Sequence, residues 1–475
     1  MRAADGPRVR AIVLAAGAGS RFGGRKLEAR IAGRPILQHV LDALAGAGLD
    51  DPIVVVAPGL PRAGVDLRRG NAVVNPEPGR GLAASLQVGW SAAFAGREPL
   101  GAVLVVLGDQ PRLRPEVIRA LVAAPLDPAR PIVAPRYAAS STRNPVRIEA
   151  SAARLVAVTE GDRGLGPLLD AHPELVRWLD VAGDNPDVDR RSDLVAAIEA
   201  DWADRVRGNR EQVERVREMP EEPDHYAPVT GLFRDDPGRR DDAVLDALLA
   251  LARAGDTWLD VGAGAGRYAF PLARAVREVI AVEPSDAMAG ALRDGMHQHG
   301  IANVRVVPGR WPEVAASLAP LPCADVALIA NVGHDTESIG PFLEAFEAAA
   351  RRACVAVMQE QPPASIAAPF FEAVHDEPRT PLPALPDFLD LLVARGATPT
   401  VTMLDRPARA WRSRDELLGF LRRQTWVRTG SPADRRLEAE LARVALPVGA
   451  GLALPSEAAS RVGIVHWRPH AVDRP

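Results

Sequence analysis

The single lysine of this chain is the first residue whose type points to chemistry. All but one of the 57 basic residues are arginine, and the exception is Lys26. A chain that meets its surface-charge needs with arginine is expected to keep lysine where a compact, rotatable ammonium is required and a planar guanidinium would not fit. A site crowded with phosphate groups is such a place, so Lys26 marks a candidate phosphate-binding site.

A glycine-rich loop lies directly before this lysine. It follows the apolar run of residues 9–16, which is typical of a buried parallel strand. The candidate nucleotide-binding residues of this segment are Leu14, Ala15, Ala16, Gly17, Gly19 and Ser20. Glycines let backbone N–H groups approach phosphate oxygens. Arg21 and Lys26 can neutralise the phosphate charge, which makes these two the candidate catalytic cations.

The loop and two later segments resemble a known family. The run LAAGAGSRFGGRK resembles the L-A-A-G-x-G-x-R…K signature of the MobA-like nucleotidyltransferases over about residues 8–200, and sugar-nucleotide pyrophosphorylases share this signature. The segment NPEPGRGLAASL resembles the N-x-x-x-x-x-G-x-x-x-S-L segment of molybdopterin cytidylyltransferases, and GDQP resembles their G-D-Q-P. The resemblance implies that Asn75, Gly81 and Ser85 bind the nucleotide. A serine near a helix N-terminus is also an ordinary helix residue.

The reaction of this family brings two anions together, because a substrate phosphate attacks the α-phosphorus of a nucleoside triphosphate. Mg²⁺ held by carboxylates usually supplies the compensating charge. The resemblance implies that Asp109 is a catalytic metal ligand and that Asp189, in a run similar to D-V-D-T-P-E-D, is the second ligand. Asp109 could instead serve as a helix N-cap. Because Ala16 replaces a glycine of the guanylyl-transferring relatives, we expect a narrower base pocket and CTP as the substrate.

The segments expected near the acceptor depart from the family pattern. The family's G-H-P reads RNP at residues 143–145, and its G-D-x-G-A-R reads GDRGLG at residues 161–166. The resemblance implies a phosphorylated acceptor such as the molybdopterin cofactor, and these departures make the acceptor the least defined part of the site.

A second glycine-rich turn lies in the other half of the chain, where strand-like WLDV leads into G-x-G-x-G spacing. The spacing resembles motif I of class I methyltransferases, and Glu283 follows Gly266 by 17 residues at the end of the next strand. The resulting candidates for S-adenosylmethionine binding are Asp260, Gly262, Gly264, Gly266, Glu283 and Asn331. The usual acid near the adenine is missing, and Trp311 in its place either stacks on the adenine or belongs to the core.

Strands and helices alternate along both halves, at spacings typical of parallel sheets covered by helices. We therefore predict an α/β protein with two Rossmann-like doubly wound domains, a nucleotidyltransferase fold followed by a class I methyltransferase fold. The predicted ranges are 8–200 for the first domain, 201–222 for a charged helical linker and 223–475 for the second domain.

The composition excludes several functional classes. Apolar residues make up 47% of the chain and charged residues 25%, which is ordinary for a globular protein. The 57 basic and 61 acidic residues give a net charge of -4, so there is no broad positive field for nucleic acid or an anionic membrane. The N-terminal sequence is not typical of a signal peptide. We expect a cytoplasmic enzyme with small-molecule substrates, no nucleic-acid partner and no membrane partner; protein partners are unknown.

Two rival hypotheses stay open at this point. The first half could be a sugar-nucleotide pyrophosphorylase, because that class shares the glycine-rich signature. Alternatively, one half could have lost catalysis and could serve as a ligand-sensing or scaffold module.

Overall fold

The computed structural model describes residues 8–469 except 60–64, 69, 97–98, 221–222, 225, 235, 240–241, 407–410, 450 and 456–459. The chain divides into two compact units, Met1–Ala197 and Ile198–Pro475. Each unit contains a large, mostly parallel sheet with its own apolar core. The predicted fold class, two Rossmann-like α/β domains, is therefore confirmed.

The first unit is built on a seven-stranded sheet. Its strands are β1 (Arg8–Ala15), β2 (Arg30–Ile31), β3 (Arg34–Pro35), β4 (Ile53–Val56), β5 (Asn71–Val74), β6 (Leu100–Leu107), β7 (Ile132–Tyr137), β8 (Val146–Glu149) and β9 (Val176–Val181). Its helices are α1 (Ile36–Gly46), α2 (Leu82–Phe94), α3 (Pro115–Ala123), α4 (Ala153–Ala157), α5 (Gly166–Ala171) and the first turns of α6 (Arg191–Val216). The sheet order is β5-β4-β1-β6-β8-β7-β9, and β2 and β3 form a separate hairpin.

The centre of this sheet determines where a ligand can bind. Strand β1 is parallel to β4 on one side and to β6 on the other, so the chain reverses its direction of winding at β1. Ligands of open α/β sheets bind beyond the carboxyl ends of the strands at such a switch point. Helix α2 packs closely over β1. A Cβ added at Gly89 of this helix would lie only 2.4 Å from Ile12 Cγ2.

The second unit contains another seven-stranded sheet and a separate two-stranded hairpin of β16 and β17. Its strands are β10 (Thr257–Val261), β11 (Glu278–Glu283), β12 (Val304–Pro308), β13 (Ala324–Ala330), β14 (Ala350–Gln359), β15 (Thr400–Asp405), β16 (Leu446–Val448), β17 (Gly451–Ala453) and β18 (Arg461–Trp467). Its helices are α7 (Ala243–Leu251), α8 (Ala269–Ala273), α9 (Asp286–His299), α10 (Ile339–Ala349), α11 (Ala368–His375), α12 (Leu385–Ala394), α13 (Arg414–Thr425) and α14 (Pro432–Val444).

The order of the second sheet is β12-β11-β10-β13-β14-β18-β15. Strands β10 to β14 are parallel, β18 is antiparallel to its neighbours, and the chain reverses its direction of winding at β10. The second switch point therefore lies at the end of β10, directly before Gly262. Helices α11, α13 and α14 pack around a separate apolar cluster that includes Phe370, Trp411 and Leu437.

The predicted linker is where the observed division differs from the predicted ranges. The helix is present, but it packs into the second unit from residue 198 onward instead of standing free. Trp202 is 1% exposed, and its indole N–H donates to the Thr336 carbonyl oxygen at 3.0 Å. Arg205 donates to Asp387 at 2.6 Å. The helix sequence is rich in charged residues, and its apolar residues were not recognised as a packed face. Residues 221 and 222 of the predicted linker lie outside the described residues.

None of the described helices combines the length and the apolar character needed to cross a membrane.

Candidate functional site

Lys26 lies between two carboxylates at the switch point of the first sheet. Its Nζ donates to Asp109 Oδ2 at 2.6 Å and to Asp189 Oδ1 at 3.0 Å. Lys26 begins the short 3₁₀ helix Lys26–Glu28, and Asp109 follows the end of β6. Asp109 and Asp189 lie 83 and 163 positions from Lys26 in the sequence, and the fold brings all three to one point.

Backbone contacts hold the carboxylate-bearing segments in place. The Gly108 N–H donates to the Leu14 carbonyl oxygen at 3.0 Å, which ties the residue before Asp109 to β1. The Val188 N–H donates to the Asp109 carbonyl oxygen at 3.0 Å. Asp193 accepts from the Asp189 N–H at 2.9 Å. The two candidate metal ligands are thus connected through backbone and not only through Lys26.

The two carboxylate oxygens of Asp109 differ in their hydrogen bonding. Asp109 Oδ1 is buried and has no hydrogen-bond partner among the described residues. Burial lowers the pKa of Lys26, but the charges of Asp109 and Asp189 and their hydrogen bonds outweigh burial, so the pKa is raised and the ammonium stays charged. An unpaired buried carboxylate oxygen is costly, so Asp109 has room for a further hydrogen-bond donor or a metal ion in addition to Lys26.

Asp187 is a site residue that the sequence analysis passed over in favour of Asp189. Desolvation, followed by the negative charge of Asp109, raises the pKa of Asp187 to about 6. Gln110 donates to Asp187 Oδ1 at 2.6 Å, and Asn185 donates to Gln110 Oε1 at 3.1 Å. The D-Q and D-V-D runs were the signals for this network, but the pairing of one run with the other is a tertiary contact.

The glycine-rich loop stands open beside these carboxylates. Leu14, Ala15 and Ala16 are buried at the end of β1, whereas Gly17 and Ser20 are exposed. Gly19 has a φ of 60°, and its carbonyl oxygen accepts from the Phe22 and Gly24 N–H groups, which closes the turn. A Cβ at Gly17 would meet nothing within 4 Å, so the loop offers free space to a ligand.

The Arg21 side chain extends from this loop towards the carboxylates. Its Nη1 lies 3.8 Å from Asp189 Oδ2, and 75% of the side chain is exposed. An exposed guanidinium beside an open glycine loop can reach phosphate oxygens of a bound nucleotide. The structure therefore places Arg21 with Lys26, Asp109 and Asp189.

The other three predicted nucleotide-binding residues form a second group, around the start of α2. Asn75 Nδ2 donates to Ser85 Oγ at 3.0 Å, and both side chains are buried. Gly81 has a φ of 90°, and a Cβ there would lie 2.6 Å from the Gly161 carbonyl oxygen. These contacts position the start of α2; direct nucleotide contacts of Asn75, Gly81 and Ser85 stay a prediction.

The second switch point carries the other predicted site. The Gly262 N–H donates to the Val282 carbonyl oxygen at 2.8 Å, so the turn after β10 is attached to β11. Gly262, Gly264 and Gly266 all have positive φ values, of 75°, 56° and 93°. A Cβ at Gly264 would meet nothing within 4 Å, whereas one at Gly262 would lie 2.5 Å from Val332 Cγ2. The turn is therefore closely packed at Gly262 and has free space at Gly264.

Glu283 and Asp260 lie below this turn. Glu283 Oε2 accepts from the Gly264 N–H at 2.7 Å, and Oε1 accepts from the Ser285 N–H at 2.9 Å. Asp260 is 2% exposed. Burial, followed by the negative charge of Glu283, raises the pKa of Asp260 to about 7. Burial also raises the pKa of Glu283, although its backbone hydrogen bonds oppose this. Neither carboxylate forms a salt bridge with the described residues.

Asn331 follows β13 at the same edge of the sheet. It has a φ of 56°, its N–H donates to the Val357 carbonyl oxygen at 2.8 Å, and Gln359 donates to its side-chain oxygen at 3.3 Å. Trp311 is a core residue, because it is 5% exposed and donates to the Phe342 carbonyl oxygen at 3.2 Å. The alternative in which Trp311 stacks on adenine is therefore wrong.

A segment at the start of the predicted second domain was missed as part of this site. Asp224 accepts from Ser285 Oγ at 2.8 Å and from the Ala287 N–H at 3.0 Å, at the start of α9. Desolvation, followed by the charges of Asp335 and Glu283, raises the pKa of Tyr226. Tyr226 thus lies among the carboxylates of the site. Its proline-rich and acidic sequence context is typical of a connector and contained no signal for this role.

The first unit resembles a known family of nucleotidyltransferases. Residues 11–176 match the model of the MobA-like NTP transferase domain. The chain is 38% identical over 124 residues to the bifunctional protein GlmU of Paracidovorax citrulli, covering 24% of each chain. It is 35% identical over 127 residues to a probable molybdenum cofactor guanylyltransferase of Thermococcus kodakarensis, covering 26% of this chain and 58% of the relative.

The chain thus spans 24% to 58% of the length of these curated relatives. Among solved structures, Rv0371c from Mycobacterium tuberculosis is 29% identical, with a TM-score of 0.36, and covers 41% of this chain and 98% of its own. Residues 11–176 are therefore similar to a nucleotidyltransferase domain, as the glycine-rich loop predicts.

Proposed function

We propose that the first unit transfers a cytidylyl group from CTP to a phosphorylated acceptor, such as the molybdopterin cofactor, with Mg²⁺ bound at Asp109 and Asp189. The observation that carries this proposal is the contact of one ammonium group with both carboxylates, 2.6 and 3.0 Å away. Two carboxylates from distant segments converge there on a single cation. The same point lies beside an open glycine-rich loop, which is the arrangement that a nucleoside triphosphate requires.

The residues present fit a magnesium ion. Asp109 Oδ1 is buried, has no hydrogen-bond partner in the described part of the chain and is available as an oxygen ligand. The described residues contain no group of three or more acidic, histidine or cysteine side chains that could hold a metal. Magnesium commonly takes one or two carboxylates together with substrate phosphates and water, so two aspartates suffice. When bound, Mg²⁺ supplies the positive charge that lets two phosphates approach each other.

The remaining residues bind and orient the nucleotide. The open turn at Gly17 exposes backbone to phosphate oxygens, and Arg21 offers a guanidinium to the same group. Lys26 is held charged by its carboxylate neighbours and can turn its flexible ammonium towards the phosphates. The methyl group of Ala16, at the end of β1, narrows the space for the base and favours CTP over GTP.

We further propose that the second unit binds S-adenosylmethionine and transfers its methyl group to a small molecule. The supporting observation is that Asp260 and Glu283 are buried near each other without a cationic partner among the described residues. A carboxylate pair of this kind is costly unless a positive ligand completes it. S-adenosylmethionine carries an ammonium and a sulfonium, and its ribose hydroxyls can donate to Glu283. The Gly262–Gly266 turn leaves room for the ligand.

One assay tests both proposals. Purified protein is incubated with Mg²⁺ and labelled CTP, GTP or S-adenosylmethionine, in the presence of molybdopterin cofactor, sugar 1-phosphates or a small-molecule extract. We expect CTP-dependent pyrophosphate release with the molybdopterin acceptor. Asp109→Asn should abolish it, whereas Asp66→Asn, an acid outside the site in the same unit, should not. Transfer of the nucleotidyl group to sugar phosphates would instead favour the hypothesis of a sugar-nucleotide pyrophosphorylase. Absence of S-adenosylmethionine binding would favour a silent second half.

A further inference from the structure

A cleft lies beside β7 and β9 in the first unit. It has a volume of about 430 Å³ and is lined by residues of β7, β9 and α5 and of the loop after β7. The lining residues used below are Arg136, Ser140, Arg143, Asp170 and Trp178. Strand β7 runs parallel to β6, since both are antiparallel to β8. The cleft therefore opens at the same edge of the sheet as Asp109.

Two arginines give this cleft positive charge. The guanidinium carbons of Arg136 and Arg143 lie 5.7 and 5.9 Å from the centre of the Trp178 ring. Stacking on an indole holds a guanidinium without using its N–H donors. Arg143 also pairs with Asp170, and Arg136 lies 3.5 Å from Asp180.

The loop between the two arginines supplies hydroxyl groups. Its sequence from residue 138 is AASSTR, and Ser140, Ser141 and Thr142 all line the cleft. The loop is tied to β9, because the Ala138 N–H donates to the Val181 carbonyl oxygen at 2.9 Å. Ser140 Oγ is buried and has no hydrogen-bond partner among the described residues. A buried hydroxyl without a partner is unusual and indicates a ligand that completes it.

The cleft is connected to the carboxylate centre. Asn185 donates to Gln110, the neighbour of Asp109, and to the Asn144 carbonyl oxygen at 3.2 Å. The Tyr137 hydroxyl donates to the same Asn144 oxygen, also at 3.2 Å. Strands β6 and β7 are separated only by β8, so these two strands lie about 10 Å apart at the usual strand spacing. A small molecule can extend from the end of β6 to the end of β7.

We propose that this cleft binds a second anionic group of the acceptor, apart from the phosphate that attacks the nucleotide. The inference rests on the proposed nucleotidyl transfer for the identity of the ligand as the acceptor. Two guanidinium groups and three hydroxyls match the oxygens of a carboxylate, phosphate or similar anion. The acceptor class is therefore a phosphate monoester whose organic body carries a further negative charge at its far end.

The test compares two phosphate esters of equal length that differ in one charge. Isothermal titration of the full chain with Mg²⁺ measures the dissociation constants of 6-phosphogluconate and of sorbitol 6-phosphate, which lacks the carboxylate. We expect 6-phosphogluconate to bind at least about tenfold more tightly, as for one charge-assisted hydrogen bond. Arg143→Gln and Arg136→Gln should each remove most of this preference. Arg154→Gln, an exposed arginine of α4 outside the cleft, is the matched control and should keep it.

A gain-of-affinity variant separates loss of the cleft from loss of folding. Asp170 pairs with Arg143 and competes with an anionic ligand, so Asp170→Asn should strengthen binding of 6-phosphogluconate severalfold. Equal affinity for the two esters in the wild type, or a preference that survives both arginine substitutions, would overturn the proposal. A protein that shows the preference but no nucleotidyl transfer would contradict the proposed function and leave the anion site standing.

Discussion

Replacing Asp260 by asparagine tests the proposed S-adenosylmethionine site of the second unit most directly. The side chain is 2% exposed at the end of β10, next to Glu283 and without a cationic partner among the described residues. Burial and the neighbouring charge raise its pKa to about 7, so the ionised form is disfavoured in the folded protein. Asparagine has nearly the same shape and never ionises. We expect Asp260→Asn to stabilise the unliganded protein and to weaken S-adenosylmethionine binding.

The size of the stabilisation follows from the pKa. In the unfolded chain the carboxyl ionises near 3.8, and in the folded protein near 7. At about 1.4 kcal/mol for each pH unit, ionised Asp260 costs about 4 kcal/mol. Because the folded pKa is raised, this cost is absent below pH 3.8, grows as the pH rises, and is complete above about 7. The advantage of asparagine should therefore be small at pH 5 and largest at pH 8.

Thermal unfolding measured between pH 5 and pH 8 checks this expectation. In a unit of this size, about 4 kcal/mol corresponds to an increase on the order of 10 °C at pH 8. Asp256 provides a contrasting control, because it is a buried aspartate of the same unit that pairs with Arg352. Asp256→Asn should lower the unfolding temperature. An Asp260→Asn protein whose stability gain does not depend on pH, or that binds S-adenosylmethionine unchanged, would refute the reasoning.

Three further predictions concern the other residues. Lys26→Arg should lower CTP-dependent pyrophosphate release at least about tenfold despite the retained charge, because the ammonium lies within 3.0 Å of two carboxylates and the side chain is only 12% exposed. Normal turnover of the variant would contradict this prediction. Glu283→Ala should weaken S-adenosylmethionine binding by about 1 to 3 kcal/mol in titration, through the lost hydrogen bonds. Fragments 1–197 and 191–475 should be soluble in size-exclusion chromatography, whereas 217–475 should aggregate because it lacks the packed residues of α6.

The features that the sequence predicted well are those recorded in local patterns. Buried parallel strands are short apolar runs, and the runs that became β1 and β10 each end in a glycine-rich turn. Glycine spacing reports backbone conformation, and Gly19 and Gly262 do adopt positive φ values. The α/β class of both units and the position of each switch point follow from such runs, because parallel strands place their carboxyl ends at one edge.

The helix α6 shows why the linker was misjudged. Its sequence is rich in charge, and charged helices are commonly exposed connectors. In the structure, several of those charges are partners of the second unit, as with Arg205 and Asp387, which hydrogen-bond at 2.6 Å. Whether a charged side chain faces water or another side chain depends on residues more than 180 positions away. Composition along the helix carries no information on that choice.

The two sites share one electrostatic feature that no sequence pattern records. In the first, a buried oxygen of Asp109 lacks a partner, and in the second, Asp260 is buried beside Glu283 without a cation among the described residues. Each arrangement is unfavourable in the free protein and is relieved by a positively charged ligand. Because such a ligand binds the folded state alone, its binding energy also stabilises the fold. The burial of these two carboxylates therefore favours both proposed ligands, a magnesium ion with its nucleotide and a sulfonium cofactor.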